Sequence, residues 1–252
     1  MDVIRFNRDT LSKVSSWIER SDWEKPSSLF NYGLPDYVYH LINYPISDDI
    51  TEADMICEYM VHFKQVNYLE IGVSVGKTFW QIAEFAKVHL EAYTLSCLDI
   101  EKINPTFQRL LGEPDNTRLV VSNAPPDSIR KSPTNTITTW GPVTYYEADE
   151  FDNSIWDYMP TFNIVFSDAM HTPDALLYEY QNVKKHLDPN GFIYCFDDLE
   201  DDPNAPMWGA VKYIFQDIRK TYPNTSINHC VVNGWLGQHQ SAHNFGVIKM
   251  ET

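Results

Sequence analysis

The sequence predicts an α/β protein built on a doubly wound sheet of seven strands, mostly parallel, of which the last runs antiparallel. From residue 66 onward, short apolar runs alternate with segments whose apolar residues recur at helical spacing. The final two apolar runs have no helical pattern between them, which predicts an antiparallel hairpin at the sheet edge. A hydrophobic share of 43% over 252 residues supplies enough apolar side chains for a large core.

Charge and composition exclude several classes of function. The net charge is −16, and nucleic-acid binding needs clustered Lys and Arg, so we expect no nucleic-acid partner. No run approaches the roughly 18 apolar residues of a membrane span, and no basic stretch followed by an apolar run opens the chain. We therefore expect a cytoplasmic protein that binds no membrane. The four cysteines are interpreted as buried thiols of a reducing compartment: Cys57, Cys97, Cys195 and Cys230.

The first part of the chain is predicted to be a helical segment, residues 1–60, that precedes the main domain, residues 61–252. Leu11, Val14 and Ile18 recur at helical spacing, and a stretch rich in aromatic, proline and polar residues follows. Two interpretations remain open. The segment packs on the main sheet as a helical subdomain, or it covers a site as a lid.

The main domain is predicted to consist of alternating strands and helices. Thr172 caps one helix, with Pro173 at its first position and Asp174 in its first turn. Residues 208–222 carry an apolar stripe that predicts another helix. Residues 112–142, rich in Pro, Ser, Thr and Asn, predict an insertion or irregular crossover. The predicted strands are 68–71, 93–98, 143–147, 162–166, 192–196, 227–232 and 245–250.

Two glycines, Gly72 and Gly76, stand in the turn between the first strand and its helix. A phosphate-binding P-loop needs four residues between its first glycine and Gly-Lys-Thr, and here three intervene. The dinucleotide pattern G-x-G-x-x-G also fails. With Glu70, the turn fits acidic-x-Gly-x-x-x-Gly and resembles the first motif of class I S-adenosylmethionine-dependent methyltransferases. The alternative is an ordinary tight turn between strand and helix.

Acidic residues follow the next two predicted strands. Asp99 ends the second strand, where a carboxylate can accept hydrogen bonds from two ribose hydroxyls. The alternative is a solvated carboxylate at a strand end. Asp149, after the third strand, resembles the adenine-side acidic position of these methyltransferases, although Glu150 and Asp152 are close neighbours in sequence.

Three further carboxylates follow the fourth and fifth strands. Asp168 closes the fourth strand, and Asp197 and Asp198 close the fifth. Parallel strands joined by one helix are often adjacent, about 4.8 Å apart, so these side chains can converge. A hard divalent cation would resolve their repulsion, and Mg²⁺ favours oxygen ligands. Because His171 offers a nitrogen ligand, Mn²⁺ is also a candidate for this site. The alternative to a metal site is a solvated acidic loop.

Residues 166–171, 187–191 and 196–198 make the resemblance more specific. They resemble the metal-dependent O-methyltransferases of class I, in the branch that contains macrocin-type sugar O-methyltransferases, which have Asp-x-x-His after the fourth strand and Asp-Asp after the fifth. The resemblance covers residues 66–250 and implies a Rossmann-like domain with S-adenosylmethionine and a divalent metal as cofactors. The metal ligands that the resemblance implies are Asp168, Asp197 and Asp198.

The resemblance also implies which residues bind the cofactor. Two features depart from the family: Ser74 stands where many class I enzymes have glycine, although this branch tolerates it, and residues 112–142 have no counterpart. The implied cofactor-binding residues are Glu70, Gly72, Ser74, Gly76, Thr78, Asp99, Asp149 and Asp168.

The predicted function is methyl transfer to a hydroxyl group of a small molecule or glycan. A saccharide is the first candidate for the acceptor, and a phenol or catechol is the second. His171 and Asp168 are the candidate catalytic residues, with His171 as general base or as a mere polar partner of a carboxylate. His239 and His243 are weaker candidates, expected at the surface. A non-catalytic binding module on the same fold remains an alternative, and both a monomer and a homo-oligomer stay open.

Overall fold

The computed structural model describes residues 1–6, 11, 51–74, 76–123, 134–232 and 242–250, without the side chains of Lys77 and Thr106. The strands are β1 (Asp2–Arg5), β2 (Val66–Ile71), β3 (Tyr93–Asp99), β4 (Asn116–Val121), β5 (Thr134–Trp140), β6 (Val143–Glu147), β7 (Ile164–Ser167), β8 (Phe192–Phe196), β9 (Thr225–Val232) and β10 (His243–Met250). The helices are α1 (Glu52–Met60), α2 (Lys77–His89), α3 (Pro105–Leu111), α4 (Asn153–Trp156), α5 (Pro173–Val183) and α6 (Pro206–Thr221).

One mixed sheet organises the molecule, in the order β1-β9-β10-β8-β7-β2-β3-β6-β5-β4. Its centre, from β8 to β6, is parallel, and β10 runs antiparallel to both β8 and β9. The α/β class, the mostly parallel sheet and the antiparallel last strand are thus confirmed. The predicted number of seven strands is wrong, because the described sheet has ten.

The three additional strands extend the sheet at its two edges. The hairpin of β9 and β10 was predicted to form the edge of the sheet, and this prediction is wrong. Strand β1 pairs in parallel with β9 and forms that edge instead. At the other edge, β4 pairs with β5 and β5 pairs with β6, both antiparallel. The edge strands β1 and β4 are almost entirely exposed, so they lack the buried apolar face that makes a strand recognisable in sequence.

The β4 and β5 pair corrects the interpretation of residues 112–142 as irregular. Threonine, valine and isoleucine dominate both strands, and such β-branched residues favour extended structure. Leu119 and Val121 both point away from the core and are exposed, which removes the alternation expected of a half-buried strand. Residues 124–133, which join the two strands, lie outside the described residues.

Helices cover both faces of the sheet, as a doubly wound fold requires. Helices α1, α2 and α3 bury Met55, Phe79 and Phe107 on one face. Helices α4, α5 and α6 bury Trp156 and Tyr180, among others, on the opposite face. The two helices predicted near residues 173 and 208 are confirmed.

The caps of two helices follow from their sequences. Thr172 caps α5 by accepting a hydrogen bond from the amide of Ala175 at 3.3 Å, and Pro173 begins the helix. In α1, the amide of Thr51 donates to Asp54 Oδ2 at 2.7 Å, which forms one half of a capping box. Helix α1 is buried along most of its length and packs against α2.

The proposed N-terminal lid falls on residues that mostly lie outside the described part of the chain, since only residues 1–6 and 11 are described before residue 51. The boundary at residues 60 and 61 therefore stays a prediction. All four cysteines are buried free thiols. Among the described residues, no helix combines the length and the apolar character needed to cross a membrane.

Candidate functional site

The first glycine of the turn after β2 is required by a neighbouring segment. Gly72 has a φ of +81°, which glycine adopts far more readily than other residues. Its amide donates to the carbonyl of Leu98 at 2.9 Å. A Cβ atom added at Gly72 would lie 2.3 Å from the backbone oxygen of Asp168. The turn after β2 and the loop after β7 therefore touch, and only glycine fits between them.

The second glycine closes the same turn against helix α3. Gly76 has a φ of +82°, and an added Cβ would lie 2.7 Å from the Phe107 ring. Its amide donates to the carbonyl of Val73 at 2.8 Å. Ser74, between the glycines, also has a positive φ, of +49°, and its side chain is exposed. A serine in this conformation costs about 1 kcal/mol relative to glycine.

Asp99, at the end of β3, holds the turn in place. Its Oδ2 accepts hydrogen bonds from the amides of Val73 and Ser74, both at 2.7 Å. Its Oδ1 accepts one from the amide of Glu101 at 2.8 Å. Each carboxylate oxygen has two lone pairs, so Oδ2 is fully used, whereas Oδ1 can accept one more hydrogen bond from a ligand hydroxyl. Asp99 is thus fixed in orientation before any ligand arrives.

A cleft of about 280 Å³ opens at the carboxyl ends of β2, β3, β6 and β7. Strand β2 has β3 on one side and β7 on the other, so this is the switch point at which doubly wound sheets bind ligands. Asp149 lies in the cleft wall, where its Oδ1 accepts a hydrogen bond from the amide of Phe151 at 2.9 Å. Five predicted cofactor-binding residues line the cleft: Gly72, Ser74, Asp99, Asp149 and Asp168.

The other three predicted cofactor-binding residues have different surroundings and are absent from the described lining of the cleft. Glu70 is buried in β2, where it accepts a hydrogen bond from the Tyr68 hydroxyl at 2.7 Å. Burial raises the pKa of Glu70 well above its ordinary value. Gly76 packs on Phe107, and the Thr78 hydroxyl donates to Glu52 Oε1 at 2.8 Å.

The carboxylates after β7 and β8 converge beside the cleft, as their strand order predicts. His171 lies between two of them, with Nδ1 at 2.7 Å from Asp198 Oδ2 and Nε2 at 3.2 Å from Asp168 Oδ1. Asp197 is buried. Asp198 has a φ of +50°, a strained conformation for a residue with a side chain.

A second histidine belongs to this cluster. His243 is the first residue of β10, and its Nε2 lies 2.8 Å from Asp198 Oδ1 and 3.3 Å from Asp197 Oδ1. Because β10 is antiparallel, its first residue reaches the edge where β7 and β8 end. His243, expected at the surface, is half-buried and contacts the cluster, while His239 lies outside the described residues. We call Asp168, His171, Asp197, Asp198 and His243 the acidic cluster.

The charges of the acidic cluster depend on one another. Burial raises the pKa of Asp197 well above its ordinary value, and the neighbouring Asp168 raises it further. Hydrogen bonds from His171 and His243 lower the pKa of Asp198. Hydrogen bonds with Asp168 and Asp198 raise the pKa of His171 to about 10. Burial opposes ionisation of His243, but Asp198 and Glu52 raise its pKa on balance.

The acidic cluster fits a divalent cation. Oδ1 of Asp197 is buried; His243 Nε2 lies 3.3 Å from it, but no hydrogen bond reaches this oxygen within the part of the chain that the structure describes. Two groups each bring three ligand atoms within 4.8 Å of one another: Asp168 with His171 and Asp197, and Asp197 with Asp198 and His243. Carboxylate oxygens together with imidazole nitrogens suit Mn²⁺ or another transition metal as well as Mg²⁺.

Sequence reasoning did not reveal one buried carboxylate whose charge interacts with that of the acidic cluster. Glu52, at the start of α1, is 4% exposed, and burial raises its pKa. The charges of His243 and Asp168 also act on Glu52, His243 lowering its pKa and Asp168 raising it. No motif marks this residue in the sequence, because α1 precedes the alternating strands and helices that organise the prediction.

No protein-family model matches the sequence, and no curated protein matches it either. Solved structures do match. A candidate O-methyltransferase from Klebsiella pneumoniae is 14% identical, with a TM-score of 0.55 over 95% of this chain and 94% of that one. The O-methyltransferase TomG from Streptomyces achromogenes, involved in tomaymycin synthesis and solved with SAM, is 15% identical, with a TM-score of 0.53 over 97% and 96%.

An O-methyltransferase from Bacillus cereus, solved with SAH, is 12% identical, with a TM-score of 0.52 over 96% of this chain and 97% of that one. These likenesses extend over nearly the whole length of both chains in each pair. At such low identity they show the fold, which is the Rossmann-like fold of these methyltransferases.

Proposed function

We propose that this protein is an S-adenosylmethionine-dependent O-methyltransferase, assisted by a divalent cation, that acts on a hydroxyl group of a small molecule. One observation carries the proposal. The cleft at the switch point of the sheet and the acidic cluster share Asp168, so a cofactor in the cleft and a cation in the cluster would lie side by side. The structural neighbours solved with SAM or SAH support the identity of the cofactor.

The cleft residues bind and orient the cofactor in this proposal. S-adenosylmethionine supplies a methyl group that an acceptor oxygen can attack. Asp99, held by three backbone amides, presents its Oδ1 to a ribose hydroxyl. Asp149, which lines the same cleft, would lie at the adenine side, as the resemblance implies. Close packing between Gly72 and the loop after β7 keeps the cleft next to the acidic cluster.

The acidic cluster positions the acceptor. A divalent cation supplies positive charge that orients the acceptor hydroxyl and lowers its pKa. Asp168, Asp197 and Asp198 would hold the cation; Asp197 belongs to both groups of converging ligand atoms, Asp168 to the group with His171 and Asp198 to the group with His243. The proton of the hydroxyl passes to His171, which must first lose its own proton. Its pKa of about 10 results from Asp168 and Asp198, and neutralising those carboxylates lowers that pKa toward its ordinary value.

We propose a saccharide hydroxyl as the first candidate for the acceptor and a phenol or catechol as the second. The support for a saccharide is the resemblance to macrocin-type enzymes and the aromatic residues between 23 and 44, which can stack on a sugar face. A panel of saccharides and phenols, assayed for transfer of a radiolabelled methyl group, distinguishes them. Cofactor binding without transfer to any acceptor would instead favour a non-catalytic binding module.

Calorimetry with S-adenosylhomocysteine tests the cofactor site. We expect Asp99→Ala to weaken binding about 100-fold, because the ribose loses its acceptor and the turn loses its support. Asp174→Ala, which removes an exposed carboxylate of α5, serves as the matched control and should leave the affinity unchanged. If the wild-type protein binds neither S-adenosylhomocysteine nor S-adenosylmethionine, the proposal is wrong.

Chelation and a second variant test the cation. We expect EDTA, or Asp197→Ala, to abolish methyl transfer while S-adenosylhomocysteine still binds, because Asp197 is absent from the described lining of the cleft. Full activity after exhaustive chelation would eliminate the cation from the mechanism and leave the cofactor assignment intact.

A further inference from the structure

His243 presents a single imidazole nitrogen to two carboxylates of the acidic cluster. Its Nε2 lies 2.8 Å from Asp198 Oδ1 and 3.3 Å from Asp197 Oδ1. These three residues form one of the two groups whose ligand atoms all lie within 4.8 Å of one another. Ligand atoms on opposite sides of a small divalent cation are about 4.2 Å apart, since each lies about 2.1 Å from the ion. The group is therefore close in size to the ligand shell of one cation.

The buried oxygen of Asp197 indicates that a ligand binds there. Asp197 is 6% exposed, and in the described part of the chain no hydrogen bond reaches its Oδ1, although His243 Nε2 is close. A buried carboxylate oxygen that receives no hydrogen bond is costly, because it has lost its water without gaining a donor. A cation bound by this oxygen and by Nε2 compensates that loss.

The other histidine of the cluster is arranged differently. His171 belongs to the group with Asp168 and Asp197, but it contacts its nearest carboxylates through two different nitrogens. Nδ1 lies 2.7 Å from Asp198, and Nε2 lies 3.2 Å from Asp168. The two nitrogens of His171 thus serve two different carboxylates, whereas one nitrogen of His243 meets two. His171 suits the proton transfer of the proposed function, and His243 suits binding of the cation.

The fold sets the position of the His243 ring. Its strand, β10, is held between β8 and β9, and His243 itself pairs with Val232 of β9. The ring of Phe245, which is buried, packs edge-on against the imidazole, with the ring centroids 4.7 Å apart. Histidines that bind metals are oriented by their surroundings in this way, because a ligand that is already in place loses less entropy on binding.

We propose that His243 is a ligand of the cation, which it binds through Nε2 beside Asp197 and Asp198. The inference rests on the cation of the proposed function and adds a nitrogen ligand to the carboxylates that hold it. Mg²⁺ prefers ligands that are all oxygen, whereas imidazole nitrogen suits transition metals. The site is therefore expected to select Mn²⁺ or another transition metal over Mg²⁺.

Pulsed electron paramagnetic resonance of the protein loaded with Mn²⁺ alone tests this role, because an imidazole nitrogen bound to Mn²⁺ produces a nitrogen coupling in the spectrum. We expect the wild type to show this coupling and His243→Gln, whose amide oxygen can replace Nε2, to lose it. His171→Ala should retain it. His229→Gln is the matched control and should retain it as well, because His229 is a buried histidine of the neighbouring strand whose Nε2 contacts Asn244.

Calorimetry separates a ligand from a structural ion pair. We expect His243→Gln to weaken Mn²⁺ binding at least about tenfold and Mg²⁺ binding less, so that the preference for Mn²⁺ narrows. If His243 only neutralises the carboxylates, its replacement removes a competing positive charge, and Mn²⁺ should bind as tightly as before or more tightly. That result contradicts the proposal. His229→Gln should keep both affinities of the wild type.

The outcomes distinguish this inference from the function on which it rests. Wild-type protein that binds no Mn²⁺ removes the cation from the proposed function. Wild-type protein that binds Mn²⁺ without a nitrogen coupling, or whose coupling disappears in His171→Ala and persists in His243→Gln, overturns only the role of His243. If His243→Gln does not fold, as judged by circular dichroism, His243→Asn replaces it. A nitrogen coupling that persists in His243→Asn overturns the proposal.

Discussion

Two groups of acidic side chains share the same edge of the sheet, and they differ in what compensates their charge. In the cleft, Asp99 accepts three hydrogen bonds from backbone amides, and Asp149 accepts one. In the acidic cluster, Asp198 contacts histidine side chains, and Asp197 has a buried oxygen without a hydrogen-bond partner among the described residues. Backbone amides thus compensate the carboxylates of the cleft, whereas histidine side chains contact those of the cluster and leave one buried Asp197 oxygen without a hydrogen bond among the described residues.

The substitution with the largest expected effect is one that breaks the contact between the two regions. Gly72→Ala places a methyl group 2.3 Å from the backbone oxygen of Asp168, so either β2 or β7 must shift. We expect a loss of about 3 kcal/mol in the free energy of unfolding, and loss of both cofactor and Mn²⁺ binding. Urea denaturation and calorimetry measure these effects.

Gly112→Ala is the matched control for Gly72→Ala. Gly112 has nearly the same φ, +84°, but nothing lies within 4 Å of an added Cβ. The free energy of unfolding should therefore fall only by the conformational cost of about 1 kcal/mol, and the variant should still bind both the cofactor and Mn²⁺. Equal losses in the two variants would mean that backbone conformation alone, without the contact to Asp168, explains the requirement for glycine.

The same chemical change should have opposite effects on stability in the two regions. Asp99→Asn removes an acceptor of backbone amides, so we expect the metal-free protein to lose about 1–3 kcal/mol in the free energy of unfolding. Asp197→Asn removes a buried charge that Asp168 repels, so we expect a gain of about 1 kcal/mol at pH 8. Urea denaturation in EDTA measures both.

Ligand binding completes this second test. Asp197→Asn should lose Mn²⁺ affinity about 100-fold and keep S-adenosylhomocysteine, whereas Asp99→Asn should do the reverse. If both variants destabilise the metal-free protein equally, the distinction between a preformed cleft and a cluster that needs a cation does not hold.

The smallest expected effect concerns a third kind of buried carboxylate. Glu179 accepts hydrogen bonds from the Tyr194 hydroxyl at 2.6 Å and the Ser167 hydroxyl at 2.9 Å. Burial raises its pKa to about 7. The folded protein thus holds the proton more tightly than the unfolded chain, so the stabilisation is complete below the unfolded pKa and is lost as the pH rises toward 7.

Glu179→Gln should remove the part of the pH dependence of stability that Glu179 causes. The neutral amide can replace the protonated acid, because the hydroxyls of Tyr194 and Ser167 can accept hydrogen bonds as well as donate them. We expect the variant to gain about 1 kcal/mol over the wild type between pH 5 and pH 8, measured by urea denaturation at each pH. A constant difference across that range would show that Glu179 does not change its protonation there.

The sequence predicts those features that depend on local pattern or on strand order. The cap at Thr172 is local, and the convergence of Asp168 with Asp197 follows from the adjacency of consecutive parallel strands. The exposed strand β4 has no buried face to reveal it. His243 reaches the acidic cluster through an antiparallel strand, and this placement depends on contacts between distant parts of the chain.

The position of β10 has a consequence for the order of folding. Among the described strands, β9 reaches the rest of the sheet through β10, and β1 through β9. Strand β10 pairs with β8 across 50 residues, from Phe196 to Gly246, whereas β2 pairs with β7 across 96 residues, from Glu70 to Phe166. Contacts between residues that are closer in sequence can form earlier. The residues of the acidic cluster all lie between 168 and 243, while the cleft needs β2 and β7 to meet. A refolding chain should therefore form the acidic cluster before the cleft.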